Sequence, residues 1–254
     1  MKSTLTYFDV IIITTSVLYT IAVLSAILFQ DKSSSWYDEW GNENIIGTHV
    51  FVLPSIIIMW KSRWYVLILS FSTVISVIYH LQDLGTISYE GSFHMVDMAY
   101  QHVVFSITGQ MVMFKQTPSN SIAFALLTTT LVAALGNQTI LSVSLYVLLL
   151  GSWMSLFLIY LILRYFNPTE NRRWDRLLIS ILYGVVSLVT FFLTDFLDKS
   201  YYNEIHSIWH VLAYTGMYFS LRSINVTDDY LNQAVELSNV AALAEKRRRK
   251  RLNF

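Results

Sequence analysis

The sequence predicts an all-α membrane protein in which eight apolar helices cross the bilayer. Three observations carry this prediction: the scarcity of charge, the long apolar runs, and the placement of the basic residues. Charged residues make up 13% of the 254 residues, whereas a soluble domain usually carries about 25%. Such a chain cannot cover a water-facing surface, which excludes an ordinary soluble enzyme and a disordered chain. Because cysteine is absent, disulfide scaffolds, thiolate nucleophiles and cysteine-based metal sites are excluded as well.

The apolar runs have the length that a bilayer requires, because a hydrocarbon core of ~30 Å takes about 20 residues of helix. Polar segments rich in turn-forming residues separate the runs. We interpret the first run as a retained helix, because it exceeds the roughly 7–15 apolar residues of a signal peptide and lacks a small-residue cleavage site. Its cleavage would leave seven helices with the same orientation. The predicted spans are Phe8–Phe29, Ile45–Trp60, Trp64–Leu81, His94–Phe114, Ser121–Leu135, Ile140–Tyr165, Leu177–Leu197 and Ile205–Arg222.

The basic residues predict the orientation of these spans. With a cytoplasmic amino terminus, fifteen of the seventeen Lys and Arg residues, all but Lys32 and Lys199, fall on the cytoplasmic side, as the positive-inside rule requires. We therefore expect an integral multi-pass protein of the plasma membrane or an endomembrane, with both termini in the cytoplasm. The basic run Lys246–Arg251 is expected to contact anionic lipid or to act as a topology anchor or retention signal. The membrane prediction excludes a nucleic-acid partner.

Ionisable residues inside spans are costly and mark function, and in this chain they gather at one side of the membrane. The third span ends with Ser76 and His80, the fourth begins near Asp97, and the last begins with His206 and His210. Residues at positions i and i+4 share one helix face, so Ser76 lies beside His80 and His206 beside His210. We expect this set at one depth, within about two helical turns of the extracytoplasmic surface.

These residue types point to metal-dependent hydrolysis. Three histidines form the ligand set of many catalytic zinc sites, which leave the fourth position to water. We therefore expect His80, His206 and His210 to bind zinc and to generate a hydroxide nucleophile at neutral pH. Asp97 would act as general acid and base, and Ser76 would stabilise the oxyanion of a tetrahedral intermediate. The expected substrate is a membrane lipid with an acyl ester or amide bond that enters from the bilayer.

The remaining polar residues of the spans receive simpler interpretations. His49, His94 and His102 are interpreted as hydrogen-bonded helix or interface residues, and Asp195 as a helix-end contact or a support of the site. A bis-histidine haem stays open on the count of six histidines. A retinal Schiff base is excluded because the last span has no lysine, and a transporter is disfavoured because the polar cluster lies near one surface.

In these residues and their order the chain resembles the CREST superfamily of seven-helix membrane proteins. That superfamily includes alkaline ceramidases, progestin and adiponectin receptors, and enzymes that remodel GPI-anchor lipids. The shared pattern corresponds to Ser76 with His80, then Asp97, then His206 with His210. The resemblance implies a CREST-like seven-transmembrane-helix bundle with one extra amino-terminal transmembrane helix. It also implies zinc held by the three histidines, with Ser76 and Asp97 around it.

The expected organisation follows from this resemblance. Residues 1–44 form the extra helix and an extracytoplasmic loop, residues 45–222 the seven-helix core, and residues 223–254 a cytoplasmic polar and basic tail. Within the superfamily, Tyr79–Asp83 and His206–His210 are most similar to the transmembrane protein 8 branch, which includes myomaker and a GPI-specific phospholipase A. The chain departs from that branch at Gln82, where cysteine is frequent, and it departs from the phospholipase members in having only residues 30–44 between its first two predicted helices instead of a large extracellular region.

The sequence therefore leaves two functions open. The first is a zinc-dependent lipid hydrolase, similar to a phospholipase A or a ceramidase. The second is a non-enzymatic membrane-remodelling, fusion or interaction protein of the myomaker type, with a structural zinc site. A ligand receptor is a third class, which the short cytoplasmic loops disfavour.

Overall fold

The described part of the chain is entirely helical. The computed structural model describes residues 5–29, 44–60, 62–83, 154–163, 166, 174–196 and 201–223, together with 97, 100, 101, 103–105, 107–109 and 112. No strand occurs within these ranges, so the all-α prediction is confirmed for them. The helices are α1 (Tyr7–Phe29), α2 (Asn44–Ile58), α3 (Arg63–Asp83), α4 (Met154–Leu163), α5 (Trp174–Phe196) and α6 (Tyr202–Ser223), and the described residues between 97 and 112 are helical too.

Three of the described helices, α1, α3 and α5, are long and apolar enough to cross a membrane. They carry large apolar side chains on their outer faces, such as Leu18, Trp64 and Leu182, as lipid contact requires. These apolar helices indicate a membrane protein. The described helices lie within a few residues of the predicted spans at both ends of the chain. The predicted span Ser121–Leu135 and the basic tail lie outside the described residues, so the number of spans and the side of the termini stay predictions.

Helix α6 is enclosed by the rest of the protein. Every side chain from Ser207 to Leu221 is buried, and the helix packs against α1, α2 and α5. Small residues allow the close approach to α5: a Cβ atom on Gly216 would lie 3.4 Å from Cβ of Tyr183, and Ser180 donates a hydrogen bond to the Gly216 carbonyl at 3.2 Å. Because protein rather than lipid surrounds α6, it accommodates the polar side chains that lower its hydropathy.

Helix α2 changes its winding in the middle. Residues Thr48–Val52 form a 3-10 helix, and α-helix resumes over Leu53–Ile58. Pro54 stands in the first turn of the second part; it has no N–H to donate, and its ring would clash with the carbonyl four residues earlier. The Leu53 N–H accordingly bonds to the Val50 carbonyl, three residues back. This local rewinding determines the directions of the Thr48 and His49 side chains.

Helix α1 is attached to the bundle through Asp9, which is fully buried in its first turn. The Asp9 carboxylate accepts a hydrogen bond from the Arg176 guanidinium at 2.7 Å and one from the Tyr218 hydroxyl at 2.7 Å. The Arg222 guanidinium lies 3.8 Å away. Asp9 also accepts the Thr6 N–H at 2.8 Å, and Thr6 Oγ1 accepts the Asp9 N–H at 3.2 Å. This reciprocal pair is a capping box, so one carboxylate both starts α1 and joins it to α5 and α6.

Candidate metal centre

Three buried histidines from three helices meet at one point. His49 of α2, His80 of α3 and His210 of α6 each offer a ring nitrogen, and these three nitrogens lie within 4.8 Å of one another. Their exposed fractions are 5%, 1% and 2%. Three imidazole nitrogens are a donor set that suits zinc.

The ring of His210 has a defined orientation, which Thr48 provides. Thr48 Oγ1 donates its single proton to the Ile45 carbonyl at 2.6 Å. It must therefore accept from His210, whose Nδ1 lies 3.1 Å away. Nδ1 of His210 then carries the hydrogen and Nε2 carries the lone pair that a metal would bind. A polar partner on the second ring nitrogen is what metal-binding histidines normally have.

His49 is oriented in the same way. Its Nδ1 lies 3.1 Å from the Ile46 carbonyl oxygen, and because a carbonyl only accepts, Nδ1 must donate. Its Nε2 is buried and has no hydrogen-bond partner within the described part of the chain. A buried nitrogen lone pair without a partner is costly, and a bound cation would remove that cost. On this observation the residues fit a zinc ion.

His206 adjoins the trio from the neighbouring turn of α6. Its ring centroid lies 4.6 Å from that of His210 and 5.3 Å from that of His80. The ring is stacked on Tyr202 at 5.1 Å. The structure thus brings the three predicted ligands close together and adds His49, which takes the place of His206 in the set of three nitrogens within 4.8 Å of one another. His49 is hydrogen-bonded within its own helix, as predicted, but it also belongs to this cluster, which the sequence did not predict.

The predicted carboxylate is buried beside the histidine-bearing helix α3. Asp97 is 4% exposed, and Gln101 Nε2 donates a hydrogen bond to its Oδ1 at 3.4 Å. Ser76, one turn before His80 on α3, is buried and faces the same carboxyl. The structure therefore groups Ser76 with Asp97, next to the turn that carries His80.

Tyr214 connects the histidines to this carboxylate. It lies one turn after His210 on α6, and its ring centroid is 5.9 Å from that of His210 and 6.3 Å from that of His49. It also faces Asp97 and Gln101. The arrangement can place a metal ion, a carboxyl group and a phenol hydroxyl around one buried region.

Two contributions were missed from the sequence, His49 with its neighbour Thr48, and Tyr214. His49 is isolated in a short apolar run, so it has no partner at helical spacing. Its position near the predicted extracytoplasmic end was the one available signal. Tyr214 continues the i, i+4 series of His206 and His210, which could have identified it. His94, His102 and the side chain of Asp195 lie outside what the structure describes.

Comparison with known proteins identifies a family. The family model described as "Protein of unknown function (DUF3522)" matches residues 45–211. This range includes α2, α3 and the first half of α6, and therefore all four clustered histidines and Asp97. No curated protein and no solved structure matches the chain.

Proposed function

The chain belongs to the DUF3522 family of proteins of unknown function, and we propose that it is a zinc-dependent membrane lipid hydrolase. It would cleave an acyl ester or amide bond at the extracytoplasmic side of the bilayer. The observation that carries this proposal is the buried trio of His49, His80 and His210, with ring nitrogens within 4.8 Å. Three protein ligands leave one coordination position open, as catalytic zinc sites do.

The chemistry divides between the metal and the protein. Zinc held by His49, His80 and His210 would supply a Lewis acid that activates water and polarises a carbonyl oxygen. Asp97 would accept the proton of the attacking water and return it to the leaving alkoxide or amine. Tyr214 and Ser76 would orient the carboxyl group. Hydrolysis of a lipid by this route yields a free fatty acid and a lyso-lipid or a sphingoid base.

Replacement of Asp97 tests the assigned mechanism. Asp97→Asn keeps the size of the side chain and its contact with Gln101 but cannot exchange a proton. Because Asp97 is not one of the expected zinc ligands, we expect the variant to retain its zinc. Fatty-acid release should fall by about 10²-fold or more, the usual contribution of general acid–base catalysis. The measurement is mass spectrometry of fatty acid released from vesicles of diacyl phosphatidylcholine, and separately of ceramide. Normal release by Asp97→Asn would contradict the mechanism.

His206 supports a second candidate, a non-enzymatic membrane-remodelling or interaction protein of the myomaker type. Its ring lies 4.6 Å from that of His210, close enough for a small shift to bring a fourth nitrogen to the metal. Four protein ligands would close the coordination sphere, and closed sites are structural. Zinc would then stabilise the helices around α6 and leave no position for water.

Paired substitutions of His49 and His206 distinguish the two candidates by zinc content. If the trio alone holds the metal, His49→Ala should lose zinc and His206→Ala should keep it. If four histidines close the site, both variants should weaken zinc binding, and the wild type should release no fatty acid from either vesicle. Loss of zinc in His206→Ala alone would restore the ligand set predicted from the sequence. Elemental analysis of detergent-purified protein provides the measurement.

A further inference from the structure

Helix α1 lies outside the residues that the family model matches, yet it contacts two of the three helices that bring the histidines together, α2 and α6. Tyr19 makes an edge-to-face contact with Phe51 of α2, at a centroid distance of 5.7 Å. One turn further along α1, Val23 packs with Ile208 and Leu212 of α6. Helix α1 therefore packs against the part of the fold that forms the metal centre.

Tyr19 contacts α2 and α6 close to the histidines that these two helices carry. Its hydroxyl is buried and faces Asn44 of α2 and Ser207 of α6. Asn44 and Phe51 lie on either side of Thr48 and His49 in the chain, and Ser207 lies between His206 and His210. One side chain thus lies against the α2 segment that carries His49 and the α6 turn that carries His210.

A second attachment fixes the rotation of α1. Asp9 is bound to Arg176 and Tyr218, ten residues before Tyr19, which corresponds to about 15 Å along a helix. Between the two points, Ser16 bonds to the Tyr183 hydroxyl of α5. A helix held at three points along its length cannot turn Tyr19 away from α2 and α6 without breaking a buried contact.

We propose that α1 is an integral part of the metal centre and that Tyr19 is a positioning residue. It sets the distance between the α2 segment with His49 and the α6 turn with His210. The proposal rests on the proposed metal centre and adds to it a helix that the family model does not match. The orientation of His210 depends on Thr48 across the α2–α6 contact, so a displacement of α2 would change both the His49 and the His210 nitrogens.

The experiment measures the metal site itself. We would purify the full chain with Tyr19→Ala, Tyr19→Phe and, as a matched control on the lipid-facing side of α1, Leu18→Ala, a residue that is 61% exposed. Zinc affinity is measured by chelator competition, and the visible absorption spectrum of the cobalt(II)-substituted protein reports ligand geometry. The melting temperature in detergent is recorded for each protein, with and without metal.

We expect Tyr19→Ala to weaken zinc binding by about tenfold or more, as loss of groups that support metal ligands usually does, and to alter the cobalt spectrum. Tyr19→Phe keeps the ring contact with Phe51 but loses the hydroxyl that faces Asn44 and Ser207, so it should recover only part of both properties, and Leu18→Ala should match the wild type. A general loss of stability would lower the melting temperature without changing affinity or spectrum, and that result would overturn the proposal. A wild-type protein that binds no metal would overturn the metal centre together with the role of Tyr19.

Discussion

His210→Ala is expected to remove zinc from the protein, from about one ion per molecule to a small fraction of that. His210 contacts each of the other clustered histidines: its ring centroid lies 4.7 Å from that of His49, 5.3 Å from that of His80 and 4.6 Å from that of His206. It belongs both to the trio and to the set of His80, His206 and His210 predicted from the sequence. Its loss leaves two ligands in either set, fewer than the three that catalytic zinc sites use.

The control for this variant is His102→Ala, which replaces a histidine that is predicted to lie outside the site. The protein with His102→Ala should keep its zinc. Elemental analysis should be read beside the melting temperature, because metal binding is coupled to folding and His210→Ala should also melt earlier than the wild type saturated with zinc. Retention of a full zinc ion by folded His210→Ala would refute the proposed metal centre. The proposed zinc-dependent hydrolase function would then be refuted as well.

The sequence alone predicts three of the four clustered histidines: His80, His206 and His210. Long apolar runs predicted the described helices, and spacing of four residues predicted that Ser76 pairs with His80 and His206 with His210. These are local signals, because helical geometry alone determines them. The distribution of basic residues assigns both pairs to the same end of the bundle. Contact between the histidines of α3 and α6 is then expected.

His49 could not be predicted in this way, because its role depends on tertiary structure. Its ring lies beside that of His210 where α2 is wound as a 3-10 helix over Thr48–Val52 and where Thr48 contacts His210. The partner of that contact is 162 residues away in the chain. The residue pattern within α2 cannot predict a contact with a helix so distant in the sequence.

The buried ion pair of α1 was missed for the same reason. The sequence identifies α1 only as an additional apolar helix, although Asp9 is an acidic residue inside it. Its partner Arg176 is 167 residues later and is one of the fifteen basic residues that the charge pattern assigns to the cytoplasmic side. A charge pattern assigns a side of the membrane to Arg176, but it does not identify the carboxylate that neutralises it.

Removal of that carboxylate should be the most destabilising change in α1. Asp9→Asn keeps the shape of the side chain but removes the negative charge that accepts two N–H groups of the fully buried Arg176. Removing one partner of a buried ion pair usually costs about 3–5 kcal/mol. Arg222, 3.8 Å from Asp9, would add repulsion to that cost. We expect a loss of this size in the free energy of unfolding, measured by chemical unfolding in detergent micelles.

The double variant Asp9→Asn with Arg176→Met separates the charge from the packing. Methionine removes the buried guanidinium and fills part of its volume, and replacing a buried pair by apolar groups is often close to neutral. The double variant should therefore be more stable than Asp9→Asn alone, with an interaction free energy of about 1–3 kcal/mol in the mutant cycle. If the two single losses simply add, the ion pair does not hold α1, and the contacts of Tyr19 and Val23 must hold the helix in place without it.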